Sequence, residues 1–163
     1  MFQWGRHISP ILCGAILAGC LAVPNRSYDC SLPLDINPEE IEAWIQRGCF
    51  EGWASESAVL QATGSDGHAQ IFVGPILEES LSEGRTVHPS GSTAVRVMYE
   101  PDKETVLGYA VVSKTLNNGA WTWYWYEKLR HQPTANTAGF DVPNCTSCHG
   151  SGVDLIHSAW PLR

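Results

Sequence analysis

The chain has 163 residues, of which 17 are acidic and 10 are basic, giving a formal net charge of −7. Proteins bind nucleic-acid phosphates with clustered Lys and Arg side chains, so this acidic chain, which has no basic run, is not expected to bind nucleic acid. Beyond an N-terminal targeting segment, the length leaves room for one domain and not two.

Residues 1–19 are predicted to be a lipoprotein signal peptide. A short polar start precedes an apolar run over 8–19, which is too short to span a membrane stably and fits a signal sequence. The run ends on Leu17-Ala18-Gly19-Cys20, which resembles the bacterial lipobox, whose cysteine is acylated and becomes the new N-terminus. Ordinary cleavage after Ala22 is the alternative.

Residues 20–36 are expected to form an exposed tether, because prolines such as Pro33 interrupt regular structure. Lipid on Cys20 would anchor the exported chain to the periplasmic side of a bacterial membrane. The residue after Cys20 is Leu21 and not an aspartate, which in many Gram-negative bacteria permits sorting of a lipoprotein to the outer membrane. The folded domain is expected over 37–163.

The first predicted element of the domain is a helix over 38–47. Asn37 is a good N-cap, and Glu40 completes a capping-box pattern. The apolar side chains share one helical face, and Gly48 is expected to end the helix.

Four strands and a second helix follow. Alternating apolar and β-branched residues predict strands over 68–73, 93–99, 107–115 and 121–128, and a helix is predicted over 75–82. Asn117-Asn118-Gly119 predicts a hairpin turn, and residues 130–144 are expected to form a loop. The predicted fold is α+β, mainly an antiparallel β-sheet of four or five strands flanked by short helices.

The motif Cys145-Thr-Ser-Cys148-His149 lies near the C-terminus. CxxCH is the attachment site of c-type haem, with two thioether sulfurs and a histidine that ligates the iron. The sequence therefore predicts one haem c, bound covalently through Cys145 and Cys148, with His149 as metal ligand. The alternatives are a thioredoxin-like CxxC or half of a zinc site, although a structural zinc site usually needs a second Cys or His pair.

Two further cysteines, Cys30 and Cys49, remain in the mature chain. An even leftover pair in an oxidising compartment predicts a disulfide. Two separate buried thiols are the alternative.

The ordered set of motifs resembles the cytochrome P-460 family, which includes the β-sheet cytochromes c′. The resemblance covers roughly residues 38–163. It is carried by the segments 68–74, 88–99, 106–114, 121–126, 145–149 and 160–163. It implies an antiparallel sheet with a five-coordinate haem at the C-terminal motif, and a homodimer is one assembly that it implies.

The resemblance also implies two kinds of function. Cytochromes P-460 proper oxidise hydroxylamine and carry a lysine bonded to the porphyrin edge, whereas the β-sheet cytochromes c′ bind nitric oxide or carbon monoxide. Arg96 stands where that lysine belongs, and an arginine is a poor nucleophile. Lys114 is a weaker substitute, since a solvated lysine near a strand end is the simpler expectation.

The leading hypothesis is therefore a lipid-anchored mono-haem cytochrome that binds a small gaseous or nitrogenous ligand or exchanges electrons with an unknown redox partner. An enzyme that oxidises hydroxylamine or a related nitrogen compound is the alternative, and a structural lipoprotein with a vestigial haem site is a third. Arg96 is a candidate haem-binding or catalytic residue, Glu127 a candidate proton relay, and Trp123 a candidate haem-pocket residue.

Other side chains are weaker candidates for a sixth iron ligand. Met98 shares a strand face with Arg96 under period-two alternation, but a strand methionine is more often core packing. The histidines His68, His88, His131 and His157 have no spacing that favours a ligand role.

Overall fold

A computed structural model describes residues 30–32, 36–62 and 67–163. The predicted signal peptide, Cys20 and most of the expected tether lie outside the described residues. The helices are α1 (Pro38–Gln46), α2 (Pro75–Ser82) and α3 (Pro143–His149). The strands are β1 (Ala54–Ser55), β2 (Leu60–Gln61), β3 (His68–Val73), β4 (Thr93–Tyr99), β5 (Val106–Asn117), β6 (Ala120–Leu129) and β7 (Thr137–Phe140).

The strands of the described residues form one antiparallel sheet in the order β1-β3-β4-β5-β6-β7, with β2 also paired to β3. This confirms the α+β class, but the expected number of four or five strands is too low. β7 lies within the expected loop over 130–144, because its four residues are too few to show alternation and its pairing with β6 is a tertiary contact. The two-residue strands β1 and β2 carry no local signal either.

α1 begins and ends as its sequence predicts. The Asn37 side chain accepts a hydrogen bond from the Glu40 backbone N–H at 2.9 Å, which satisfies a donor left free at the helix start. Gly48 follows the helix at a φ of +68°, a left-handed conformation that glycine adopts without steric cost.

The β5–β6 hairpin turns at the predicted dipeptide. Asn118 and Gly119 both have positive φ, at 49° and 84°, and Asn117 pairs with Ala120. Positive φ at both central residues is the signature of a type I′ turn, whose twist matches that of the flanking strands.

The sheet has two faces with separate cores. The face that packs on α1, which we call the α1 face, buries Val95, Val97, Val111, Tyr124 and Tyr126 against Ile41, Trp44 and Ile45. A disulfide joins Cys30 to Cys49 beside it, with Cα atoms 5.2 Å apart, as the sequence predicts. Leu32 and Ile36 pack against the same core, so the described part of the expected tether lies on the domain.

The opposite face, which we call the site face, carries the side chains that alternate with those of the α1 face. Its cross-strand rows are Ala94–Val112–Trp125 and Arg96–Ala110–Glu127. Leu77 of α2 and Ile156 of the C-terminal segment share its buried cluster with Trp123 and Trp125. Within the described ranges, no helix is long and apolar enough to cross a membrane.

Candidate functional site

The CxxCH motif forms most of the short helix α3. Cys145 and Cys148 are three residues apart on this helix, which places their side chains on the same side of it. Cys145 is partly buried and Cys148 is exposed, and within the described ranges neither thiol is in a disulfide. Both sulfurs are therefore available for covalent attachment of one ligand.

His149 is the last residue of α3, and a hydrogen bond at its Nδ1 atom fixes the orientation of its ring. Its Nδ1 lies 2.8 Å from the carbonyl oxygen of Leu155. Because a carbonyl can only accept, Nδ1 carries the proton, and in the neutral ring Nε2 then carries the lone pair. Burial lowers the pKa of His149, the hydrogen bond to Leu155 opposes this, and the nearby His157 and Arg96 lower the pKa further. The lowered pKa favours the neutral ring, whose Nε2 is a nitrogen donor.

An aromatic ring packs beside this histidine. The Trp125 and His149 ring centroids are 4.7 Å apart at an interplanar angle of 62°, an edge-to-face contact. Within the described residues, the Trp125 indole N–H is buried without a hydrogen-bond partner. Buried indole N–H groups normally have one, so this donor points to a ligand group that completes the site.

Arg96 and Glu127 lie on the site face with Ala110 between them, in the cross-strand row described above. All three are only partly covered, although they occupy adjacent strands within the sheet. Both charges act on the motif. The Arg96 charge contributes to the lowered pKa of His149, and burial followed by the Glu127 charge raises the pKa of Cys145. The fold thus brings together candidates from three distant parts of the sequence.

Trp123 is buried on the same face beside a charged cluster. Its indole Nε1 donates to Asp154 at 3.3 Å, and the Lys114 ammonium lies 5.5 Å from its ring centroid. Lys114 is itself buried and bonds Asp154 at 2.6 Å and the His88 carbonyl at 2.9 Å. The expectation of a solvated strand-end lysine is wrong, because Asp154, which is distant in sequence, folds back to neutralise it.

The weaker ligand candidates have diverse surroundings. Met98 is buried, and Nδ1 of the buried His88 lies 2.8 Å from the Ser80 hydroxyl. His157 lies beside His149, with ring centroids 5.3 Å apart. His131 is exposed and lines an open depression that contains none of the motif residues. In the part of the chain that the structure describes, no three His, Cys, Asp or Glu side chains are gathered as metal ligands.

Two contributors to the site escape sequence reasoning. Trp125 is not one of them, because alternation places it on one strand face with Trp121 and Trp123 as a candidate pocket lining. Leu155 acts through its backbone carbonyl, which no side-chain pattern shows. Asp154 carries the one usable signal, as the single charge in the apolar stretch Val153–Ile156 after the motif.

Comparison with known proteins found no family model, no curated protein and no solved structure that matches this chain. The resemblance to the cytochrome P-460 family therefore stays a prediction that depends on the sequence motifs.

Proposed function

We propose that this chain is an exported mono-haem c-type cytochrome of the cytochrome P-460 type. One haem c would be held by thioether bonds to Cys145 and Cys148, and Nε2 of His149 would be a ligand to its iron. Its task would be to bind a small ligand such as nitric oxide, or to transfer single electrons. Lipid on Cys20 would keep it on the periplasmic side of a membrane, and a homodimer fits the family resemblance.

The observation that carries this proposal is the orientation of His149. The Leu155 carbonyl fixes the proton on Nδ1, which is how proteins commonly prepare a histidine for metal binding. A zinc or thioredoxin-like CxxC has no need of an adjacent histidine held in this way. Two thiols precede this histidine on α3, and neither is in a disulfide in the part of the chain that the structure describes.

The site face also suits a flat apolar group. Ala110 is small and lies partly uncovered on the central strand β5, between Arg96 and Glu127. The unpartnered Trp125 indole N–H is a donor that a haem propionate could satisfy. These features support the fit of a haem between the site face and α3.

When bound, haem would supply an iron centre that takes a small ligand or changes oxidation state. The Arg96 guanidinium is planar and carries several N–H groups, a geometry that suits recognition of an anionic group. The Glu127 carboxylate is a partly buried proton acceptor beside the motif. The Trp125 ring keeps water from one side of the His149 ring.

The test is to express the chain in a host that matures c-type cytochromes and to analyse the purified protein by mass spectrometry and optical spectroscopy. We expect haem mass on the peptide that contains Cys145 and Cys148, and a reduced spectrum that shifts with nitric oxide. His149→Ala should alter or abolish the spectrum. His131→Ala, which removes an exposed imidazole that lines a depression without motif residues, is the matched control and should preserve it. A colourless wild-type protein would refute the proposal.

The alternative is an enzyme that oxidises hydroxylamine or a related nitrogen compound. It is favoured by the charge of Glu127 beside Cys145, since such oxidation needs a base to accept protons. An additional covalent bond between the chain and the porphyrin would support the enzyme, and the same mass spectra would reveal it. The ion pair of Lys114 with Asp154 weighs against Lys114 as the residue that forms this bond.

A further inference from the structure

Asp154 connects the segment after the CxxCH motif to three separate parts of the sheet layer. Its carboxylate accepts from the His88 backbone N–H at 2.8 Å, from the Lys114 ammonium at 2.6 Å and from the Trp123 indole at 3.3 Å. His88 precedes β4, whereas Lys114 and Trp123 are cross-strand partners on β5 and β6. One side chain thus ties the C-terminal segment to the sheet.

The segment that Asp154 ties down has an unfavourable backbone. Asp154 and Leu155 have φ values of 45° and 66°, a left-handed conformation that a leucine adopts only when surrounding contacts impose it. A pair of backbone hydrogen bonds between Val153 and Ile156 closes the turn on itself. The contacts of Asp154 are polar links from this turn to the sheet layer.

The strained residue Leu155 is the one whose carbonyl accepts from His149 Nδ1. The Lys114–Asp154 pair, the left-handed turn and the His149 ring therefore form one continuous chain of contacts. A hydrogen bond to the outer nitrogen of a ligating histidine makes the histidine a stronger donor to the metal. That bond can be strong only while the carbonyl is kept in place.

We propose that Asp154 and Lys114 are positioning residues that set the electronic properties of the haem iron by holding the Leu155 carbonyl against His149. The proposal rests on the proposed function, in which His149 ligates the iron. Loss of the pair would loosen the turn and weaken the histidine as a donor. A weaker donor stabilises ferric iron less, so the reduction potential would rise.

The deciding variant combines Lys114→Met with Asp154→Gly in the haem-loaded protein. It removes one charge of each sign, so its net charge is unchanged, and glycine accepts the positive φ at position 154. We expect roughly a tenfold loss of preference for the ferric state, which is an upward shift of about 59 mV for a one-electron couple. The iron–histidine stretching frequency should fall.

Two comparisons make the result specific. Glu83→Gly with Arg85→Met removes an exposed ion pair with the same charge balance and should leave both readouts unchanged. Lys114→Arg keeps a cation beside Asp154 and should stay close to wild type. An unchanged potential and stretching frequency in the deciding variant would overturn the proposal.

A folding defect would not leave the proposal undecided. If the double variant does not accumulate, Lys114→Gln is measured instead, because it removes the cation while it leaves the backbone at position 154 unchanged and keeps a donor beside Asp154. A lower iron–histidine frequency would then support the proposal and an unchanged one would overturn it. If wild-type protein carries no haem, the proposed function itself is refuted. If wild-type protein carries haem but the variants leave the reduction potential and the stretching frequency unchanged, only the positioning role is refuted.

Discussion

The carboxylate of Asp154 stays charged although it is partly buried. Burial, the largest single effect, raises its pKa, but the hydrogen bonds from Lys114, the His88 backbone and Trp123 together outweigh it and leave the pKa below its ordinary value. The folded state therefore favours the deprotonated form. By linkage, Asp154 stabilises the fold fully above its unfolded pKa of about 3.9.

This sign gives a prediction for acid unfolding. Asp154→Asn leaves the Lys114 charge buried without its partner, so we expect a loss of about 3 kcal/mol at neutral pH. The difference in free energy of unfolding between the variant and wild type should narrow as the pH falls below about 4 through the lowered folded pKa. In this range Asp154 of the wild type becomes protonated and loses the same charge. Urea titrations across the acidic range would measure it. Glu83→Gln, in an exposed ion pair, should cost less than about 1 kcal/mol, and a gap that stays constant with pH would contradict the assignment.

The Cys145 thiol offers a second test at the scale of single residues. Burial and the Glu127 charge raise its pKa, so Glu127→Gln should lower the pKa of Cys145 and increase the thiolate fraction at neutral pH. We expect alkylation of Cys145 in haem-free protein to become severalfold faster, as measured by mass spectrometry. Glu104→Gln, which removes an exposed charge, is the control. Equal rates in the two variants would show that Glu127 does not act on the motif.

At the scale of elements, two glycines of the β5–β6 hairpin serve different purposes. A Cβ on Gly108 would lie 2.4 Å from the Lys128 carbonyl oxygen, whereas a Cβ on Gly119 would meet nothing within 4 Å. Gly108→Ala should therefore force the paired strands apart and cost about 3 kcal/mol. Gly119→Ala should cost only about 1 kcal/mol, from its positive φ.

Chemical denaturation of the two variants would measure this difference. Gly52→Ala is the matched control, since its Cβ meets nothing within 4 Å and its φ is not positive. It should be close to neutral. Similar costs for Gly108→Ala and Gly119→Ala would mean that the strands at Gly108 are less closely paired than the structure indicates.

The elements with local signals are those that the sequence predicts. The bounds of α2 agree with the prediction, α1 has its cap and its terminal glycine, and the hairpin has its Asn-Gly turn. β1, β2 and β7 are short and owe their pairing to strands elsewhere in the chain. The site divides in the same way. The CxxCH residues are recognisable as a motif, although the sequence does not predict their helix α3, whereas the Leu155 carbonyl and the Lys114–Asp154 pair depend on contacts between distant segments.

At the scale of the whole molecule, the sheet separates two sets of tasks. The α1 face holds the core made with α1, and the disulfide ties the segment around Cys30 to that side, where the Trp44 indole also donates to the Cys30 carbonyl at 3.1 Å. The site face carries Arg96, Glu127 and Trp125 with the C-terminal segment packed on it. Stability contributed on one side should therefore be separable from ligand chemistry on the other.

The disulfide allows this separation to be tested. Its cysteines are 19 residues apart, and closing a loop of that size stabilises a fold by about 3 kcal/mol. Cys30→Ser with Cys49→Ser should lower the free energy of unfolding by about that amount. If the chain binds haem as proposed, the same variant should keep the reduction potential and the nitric oxide spectrum, because the sheet lies between the disulfide and His149. A shifted reduction potential with an unchanged free energy of unfolding would contradict this separation between the α1 face and the site face.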